Sequence, residues 1–174
     1  MARTVNRGDL AIAVGEMVDP TSLMQRVCDR TLELISASDG VAIGLVRDQA
    51  IAFVCGAGAG VSAVGTTVDL SASLSGLAIQ TGLVLQSSDT QKDPRVDAAA
   101  CQSLSVVSLV CIPLSRSHEM YGVMAVNAAR TNAFSDSDVA VLTRLADFVS
   151  VAVGSAREHA QLDAHDRRGR ELEA

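Results

Sequence analysis

The sequence predicts an α+β fold: one antiparallel sheet of five to six strands, with helices segregated against one face. Two observations carry this. Helical patterns stand at both ends of the 174-residue chain, while β-rich runs fill its middle. Those runs are joined by short polar connections, Asp48-Gln49 in one case and SRSHE (residues 115–119) in the other, as hairpins require.

From the N-terminus, Leu10, Ala11, Val14, Met17 and Val18 repeat at helical spacing and give a short amphipathic helix. Asp19-Pro20 restarts the chain, with Asp19 as N-cap and Pro20 in the first helical position. This second helix runs to about Ser36, with Met24, Val27, Cys28, Leu32 and Ile35 on its apolar stripe. Gly40 opens the run VAIGLVR, and AIAFVCG answers it. The segment GAGAGVSAVG (residues 56–65) lacks the Lys-Ser/Thr ending of a P-loop and opens no helix, so it reads as a plain mobile loop. Ser71 or Ser73 caps a short helix that turns Leu74, Leu77 and Ala78 inward and stops at Gly82.

LVLQ (residues 83–86) is the third clear strand. A polar loop carrying Asp89, Asp93, Pro94 and Arg95 follows, then a weak helical patch from Val96 to Gln102. VVSLVCIPL and YGVMAVN flank the second turn. A long amphipathic helix begins at Phe134-Ser135. In it Leu142, Leu145, Val149, Ala152 and Ala156 step by three and four, the rhythm of a packed helical seam. Past His159 charged residues replace the rhythm, and Gly169 weakens the helix.

Composition excludes several functions. The net charge is −6, from 20 acidic against 14 Lys and Arg residues, which argues against nucleic acid. The one basic trio, Arg167, Arg168 and Arg170, sits among Asp163, Asp166, Glu171 and Glu173 and reads as a solvated helix face. No unbroken apolar run approaches the ~20 residues of a spanning helix, and no signal peptide opens the chain, so no membrane partner is expected. Cys28, Cys55, Cys101 and Cys111 form no CxxC pair and no ligand-spaced set with histidine, hence no structural zinc. Cys28, Cys55 and Cys111 fall in apolar elements, as free thiols of a reducing cytoplasm do. The aromatic residues are Phe53, Tyr121, Phe134 and Phe148 alone, so any pocket has few flat rings for stacking.

The order of elements from Val68 to Val153 resembles a GAF domain. A short helix ends at Gly82, and the strand LVLQ and the loop SSDTQKDPRVDAA follow. Next come a strand into IPL, a hairpin to YGVMAVN, and the helix FSDSDVAVLTRLADFVSVAV. The likeness extends over roughly Thr21 to Val153. It implies a sensory fold enclosing one small ligand, with N- and C-terminal helices on one face of the sheet and short helices and loops over the other. The expected organisation is an N-terminal helix over 1–20, a sensor over 21–155, and a charged linker helix over 156–174 leading to an output domain. A homodimer seam through Leu142, Leu145, Val149, Ala152 and Ala156 is expected to carry the signal.

The same resemblance nominates site residues. Cyclic-nucleotide-binding members carry an Asn, Lys, Phe, Asp, Glu signature. Asn127, Phe134 and Asp138 match it, whereas Ala128 and Val139 break it. Ser135 and Asp138 also form a capping box, with Phe134 and Val139 as its staple, which accounts for both residues without a ligand. Cys101 lies in a loop bordering the pocket. Gln102 replaces the histidine that follows the cysteine in bilin-binding relatives, and Ser75 stands where methionine-sulfoxide-reducing relatives carry a cysteine. An oxidant-sensing thiol is the remaining role for Cys101. Haem needs a histidine in the pocket, but His118 is in a turn and His159 and His165 are in the trailing helix. Neither haem nor bilin is expected. Asp89, Asp93 and Arg95 lie in the loop that such domains place over the ligand. Ser73 and Ser75 stand at a helix start whose free amides suit a small anion or carbonyl. The expectation is a regulatory sensor, not an enzyme; the alternative is a ligand-free structural dimerisation module.

Overall fold

The computed structural model describes residues 19–172 and, beyond Ala156, the side chain of Arg168 alone. The helix expected over Leu10–Val18 lies outside the described residues, as do the side chains of His159 and His165. Asp19 caps α1 (Pro20–Leu34) by accepting the Ser22 amide at 3.1 Å, and Pro20 fills a first-turn position where no amide partner is needed. The helix closes at Leu34, one turn's edge short of Ser36, and buries Met24, Val27, Cys28 and Thr31.

β1 (Gly40–Arg47) and β2 (Ala50–Gly58) form the first hairpin around Asp48, whose φ is 56°. The glycine-rich segment is not a plain loop. Its first three residues finish β2, Ala59–Ala63 form a 3₁₀ turn, and β3 (Thr67–Asp69) pairs with the start of β2. A Cβ on Gly60 would stand 2.0 Å from the Val41 carbonyl oxygen, so the small residues let this turn press directly on β1. α2 (Leu74–Thr81) starts on Ser73 and stops at Gly82, φ 68°. β4 (Leu85–Ser87) begins two residues later than expected, and α3 (Ala98–Ser103) is capped by Asp97. β5 (Ser108–Arg116) and β6 (Glu119–Ala128) form the second hairpin, and α4 (Asp136–Leu172) closes the chain. The sheet order is β3-β2-β1-β6-β5-β4, with every neighbouring pair antiparallel.

Both faces of this sheet are covered. α1 and α4 lie on one, enclosing a core with Val41, Ile43, Val110, Ile112, Leu114, Met124 and Val126. α2 covers part of the other, where Ala42, Ile51, Phe53, Val123 and Ala125 meet Leu74, Ala78 and Ile79. Side chains in a strand alternate faces, so Ile51, Phe53, Cys55 and Ala57 ought to share one. They do not. Ile43 pairs with Cys55 but Gly44 pairs with Phe53, so Val54 is an extra residue in β2 and reverses the alternation beyond it. A second irregularity, where Leu114 pairs with Gly122 but Ser115 with Met120, does the same for Tyr121. Its ring joins the helix-side core, and its hydroxyl meets the Val149 and Ser150 carbonyls at 3.2 and 3.1 Å.

α4 begins as the capping pattern predicts: Ser135 N donates to Asp138 Oδ2 at 2.9 Å and Asp138 N to Ser135 Oγ at 3.2 Å. Phe134 is buried in the same core. The expected seam divides at this point. Leu142 and Val149 are 0% exposed, packed with Ala146 and Val153 on the chain's own sheet, so they are unavailable to a second chain. Leu145, Ala152 and Ala156 are half-buried at its edges. Among the described residues, the large exposed apolar side chains of α4 are instead Val141, Phe148 and Val151. The helix continues through Gly169 to Leu172, its charged residues adding no break. By length and composition Asp136–Ala156 suffices to cross a membrane, which no count of unbroken apolar residues revealed. Here its buried stripe lies on the sheet.

Leu142→Ala is expected to cost about 2–5 kcal/mol, from lost burial plus the cavity left behind. Arg144→Ala, on the exposed side of the same turn, should stay within about 0.5 kcal/mol. Urea unfolding of the two variants checks the orientation of α4; equal costs would refute it.

Candidate functional site

The face of the sheet opposite α1 and α4 is only partly covered by α2, and the remainder is a cavity of about 340 Å³. Its floor is Ala42, Phe53, Leu109, Ala125 and Asn127 from the sheet; its walls come from β3, the start of α2, and the segment Val96–Val106 around α3. The small side chains of Ala42 and Ala125 leave the space, and Phe53 reaches the floor only because β2 reverses its alternation after this residue. Gly76 fixes the near wall. A Cβ there would lie 2.0 Å from the Leu70 carbonyl oxygen, so α2 rests directly on the chain leaving β3.

Four of the seven predicted contact residues line this cavity: Ser73, Ser75, Cys101 and Asn127. Their polar groups are already partly spoken for. Ser73 Oγ accepts the Gly76 amide at 3.0 Å and donates to the Asp69 carbonyl at 3.0 Å. Ser75 Oγ lies 3.4 Å from Cys111 Sγ. Part of this helix start is already satisfied: Ser73 takes the Gly76 amide, and the Asp69 carboxylate takes that of Ser71 at 2.7 Å. Asn127 stands half-buried on β6 with its side chain toward Gly40.

Asp89, Asp93 and Arg95 are not in the cavity lining. Asp89 accepts the Gln91 amide at 3.1 Å and faces Lys92 at 3.5 Å. Arg95 clasps Asp93 with two bonds, Nε to Oδ1 at 2.9 Å and an Nη to Oδ2 at 2.7 Å, and donates to the Gln86 carbonyl at 2.8 Å. This trio ties the loop to β4 and to itself. Arg95 does border a smaller hollow of about 230 Å³ beside Ser73 and Val96. The polar lining residues missed from sequence are Thr66, Thr67, Asp69 and Asp97. β3 is only three residues long, below the length at which alternation is legible.

The described lining holds two carboxylates, Asp69 and Asp97, and no Lys, Arg or His. That balance disfavours an anion. Both nearby thiols stay protonated at neutral pH. Burial and Asp97 push Cys101 up, and burial pushes Cys111 up to about 12. A protonated thiol is a poor nucleophile, which weakens the oxidant-sensing role expected of Cys101. His118, at φ 67°, is exposed in the β5–β6 turn and away from the cavity.

A sheet with a paired helix layer behind it and a partly roofed cavity in front is the architecture of a regulatory sensor module. The chain belongs to the GAF domain family, whose model matches residues 18–154. GAF domains are regulatory sensor modules of signalling proteins. Among solved structures, the chain is similar to the GAF domain of a phosphoenolpyruvate-protein phosphotransferase from Coxiella burnetii, with a TM-score of 0.74, 16% identity, and 88% of this chain and 94% of that one covered. It is also similar to the type II free methionine-R-sulfoxide reductase of Thermoplasma acidophilum (TM-score 0.67, 22% identity, 78% and 93% covered). A third likeness is to the GAF-B domain of DevS from Mycobacterium smegmatis (0.66, 17%, 83% and 99%). No curated protein matches the chain. At these identities the structures share the fold.

The Asp93–Arg95 clasp gives a pH test. Arg95 holds the Asp93 carboxyl below its ordinary range, so its contribution is present above the unfolded pKa of about 3.9 and is lost as pH falls below that value. Asp93→Asn should therefore be less stable than wild type at pH 7, and the gap should close as pH falls from about 4 toward 2. Thermal melts across that range check it, and a constant gap would show that Arg95 stabilises nothing through charge.

Proposed function

We propose that this domain is a regulatory, non-catalytic sensor whose cavity binds a small, mostly apolar, neutral or cationic molecule. The observation that carries this is the cavity itself: about 340 Å³ walled mainly by Ala, Val, Leu and Phe side chains, with acidic groups as its charged members. The protonated state of Cys101 and Cys111 supports a binding role over thiol chemistry. Free thiols also suit the reducing cytoplasm we assign to it.

The signal route we infer runs through β6. Ala125 and Asn127 line the cavity, while Met124 and Val126, their neighbours on the other face, bear on the core under α4. A ligand with unequal affinity for two packings of that core would shift α4, and an output domain joined to it would read the shift. The dimer we infer uses the outer side of α4, where Phe148 and Val151 are each 57% exposed, in place of the buried Leu142 and Val149.

Native mass spectrometry of protein from its own cytoplasm, set against the denatured mass, tests the first reading. A reproducible extra mass per subunit is expected, and Ala100→Leu, which fills the cavity from α3, should remove it. A clean mass in wild type would favour the ligand-free structural module. For the dimer, Phe148→Glu with Val151→Glu should halve the sedimenting mass without unfolding the chain. A wild type that sediments as a monomer would overturn the dimer.

A further inference from the structure

Two cysteines that play no part in the cavity stand face to face behind the sheet. Cys28 of α1 is 0% exposed and Cys55 of β2 is 3% exposed, and their sulfurs are 3.9 Å apart. The extra residue Val54 creates this encounter. Without it Cys55 and Phe53 would share one face of the sheet; with it, Cys55 pairs with Ile43 and turns into the α1 layer. The junction is held in register beside the pair, because Gln25 of α1 bridges Asp29 Oδ1 at 3.1 Å and the Gly56 carbonyl of β2 at 2.8 Å. Both thiols are free.

We propose that Cys28 and Cys55 form a dithiol–disulfide site that a small hydroperoxide oxidises, fastening α1 to β2. The hydrogen bond between the sulfurs gives the pair unequal members, with Cys55 held below and Cys28 above the ordinary thiol range. Cys55, the more acidic of the two, is assigned the attack, made in its thiolate form. Its sulfur bonds to one oxygen of the hydroperoxide, the O–O bond breaks, and the departing alkoxide takes up the released proton as alcohol. Cys28 sulfur then attacks the Cys55 sulfenic sulfur; the S–O bond breaks and hydroxide leaves with the Cys28 proton as water. The two thiols lose two electrons and the hydroperoxide gains them. Closing the gap to the disulfide length of about 2.05 Å takes only a short approach of two side chains already in contact. Burial restricts the reagent to one as small as hydrogen peroxide, and excludes bulky disulfides.

The oxidised pair would join α1, which packs on both β2 and α4, to the sheet through a bond that thermal motion does not open. The test treats the folded full chain with hydrogen peroxide, removes the peroxide, unfolds the chain in N-ethylmaleimide to block remaining thiols, and maps peptides without reduction. The expected product is a Cys28–Cys55 linked peptide lighter by two hydrogens, reversed by dithiothreitol, with the melting temperature raised by roughly 5–10 °C. Cys101→Ser should leave this product unchanged. Cys28→Ser should leave Cys55 as a sulfenic acid that dimedone traps when the chain is unfolded in its presence. Complete alkylation of Cys28 and Cys55 while Cys101 is oxidised would overturn the proposal, and so would a link that forms only in urea.

Discussion

A strand repeats its side-chain direction every two residues, so a sheet covered on both sides needs every strand to keep faith with two different surroundings at once. β2 cannot do this along its whole length. Its first half, Ile51 and Phe53, floors the cavity side, while its second half, Cys55 and Ala57, belongs under α1. The extra residue Val54 resolves the conflict by reversing the alternation once. Gly44 stands opposite Phe53, and a Cβ there would lie 2.4 Å from Ile51 Cγ2, so glycine is what admits these two large side chains on the cavity side. Cavity floor, helix-side core and thiol pair all follow from that one-residue displacement.

The helix layer depends on the corresponding device in β6. The irregularity at Leu114 and Ser115 turns Tyr121 toward α4, where its hydroxyl meets the Val149 and Ser150 carbonyls, and the Ser115 amide donates to Ser150 Oγ at 3.2 Å. Gly154 lets the Arg116 side chain lie against α4, since a Cβ there would be 2.7 Å from Arg116 Cβ. Polar bonds to a helix flank are directional, while apolar packing tolerates sliding. α4 is therefore fixed in register at Tyr121 and held by volume at Leu142 and Ala146. A change in packing under β6 has a defined point from which to move the rest.

What could be read from the sequence tracks the range of the interactions involved. Asp19, Ser73, Gly82 and the Ser135–Asp138 box act within one turn of chain, and each stands where local chemistry placed it. The hairpins and the helix-flanked sheet were legible for the same reason. Three things were not. The 3₁₀ turn at Ala59–Ala63 owes its order to Gly60 lying on Val41, a contact between distant residues. The direction of the α4 stripe was ambiguous, because a seam with apolar steps of three and four fits a neighbouring sheet as well as a second chain. Cys28 and Cys55 each read as an ordinary buried thiol, and their meeting required the bulge.

The loop residues show how local chemistry also misleads. Asp89, Asp93 and Arg95 are charged residues of the kind a ligand loop offers, yet each satisfies its charge within the loop or on β4. Arg95 spends its donors on Asp93 and on the Gln86 carbonyl, and a ligand drawing it away would have to compensate both. The cavity is left with mainly alanine, valine, leucine and phenylalanine surface, a few hydroxyls of which that of Ser73 is bonded to nearby backbone, the Asn127 amide, and the carboxylates of Asp69 and Asp97. Selectivity in such a site comes mainly from exclusion. An anion meets like charge with no cation to offset it, and a strongly polar molecule loses more hydration than these walls return. Shape and apolar area then decide among the molecules that remain, and those are set by Ala42, Ala125 and the reversal that brings Phe53 to the floor.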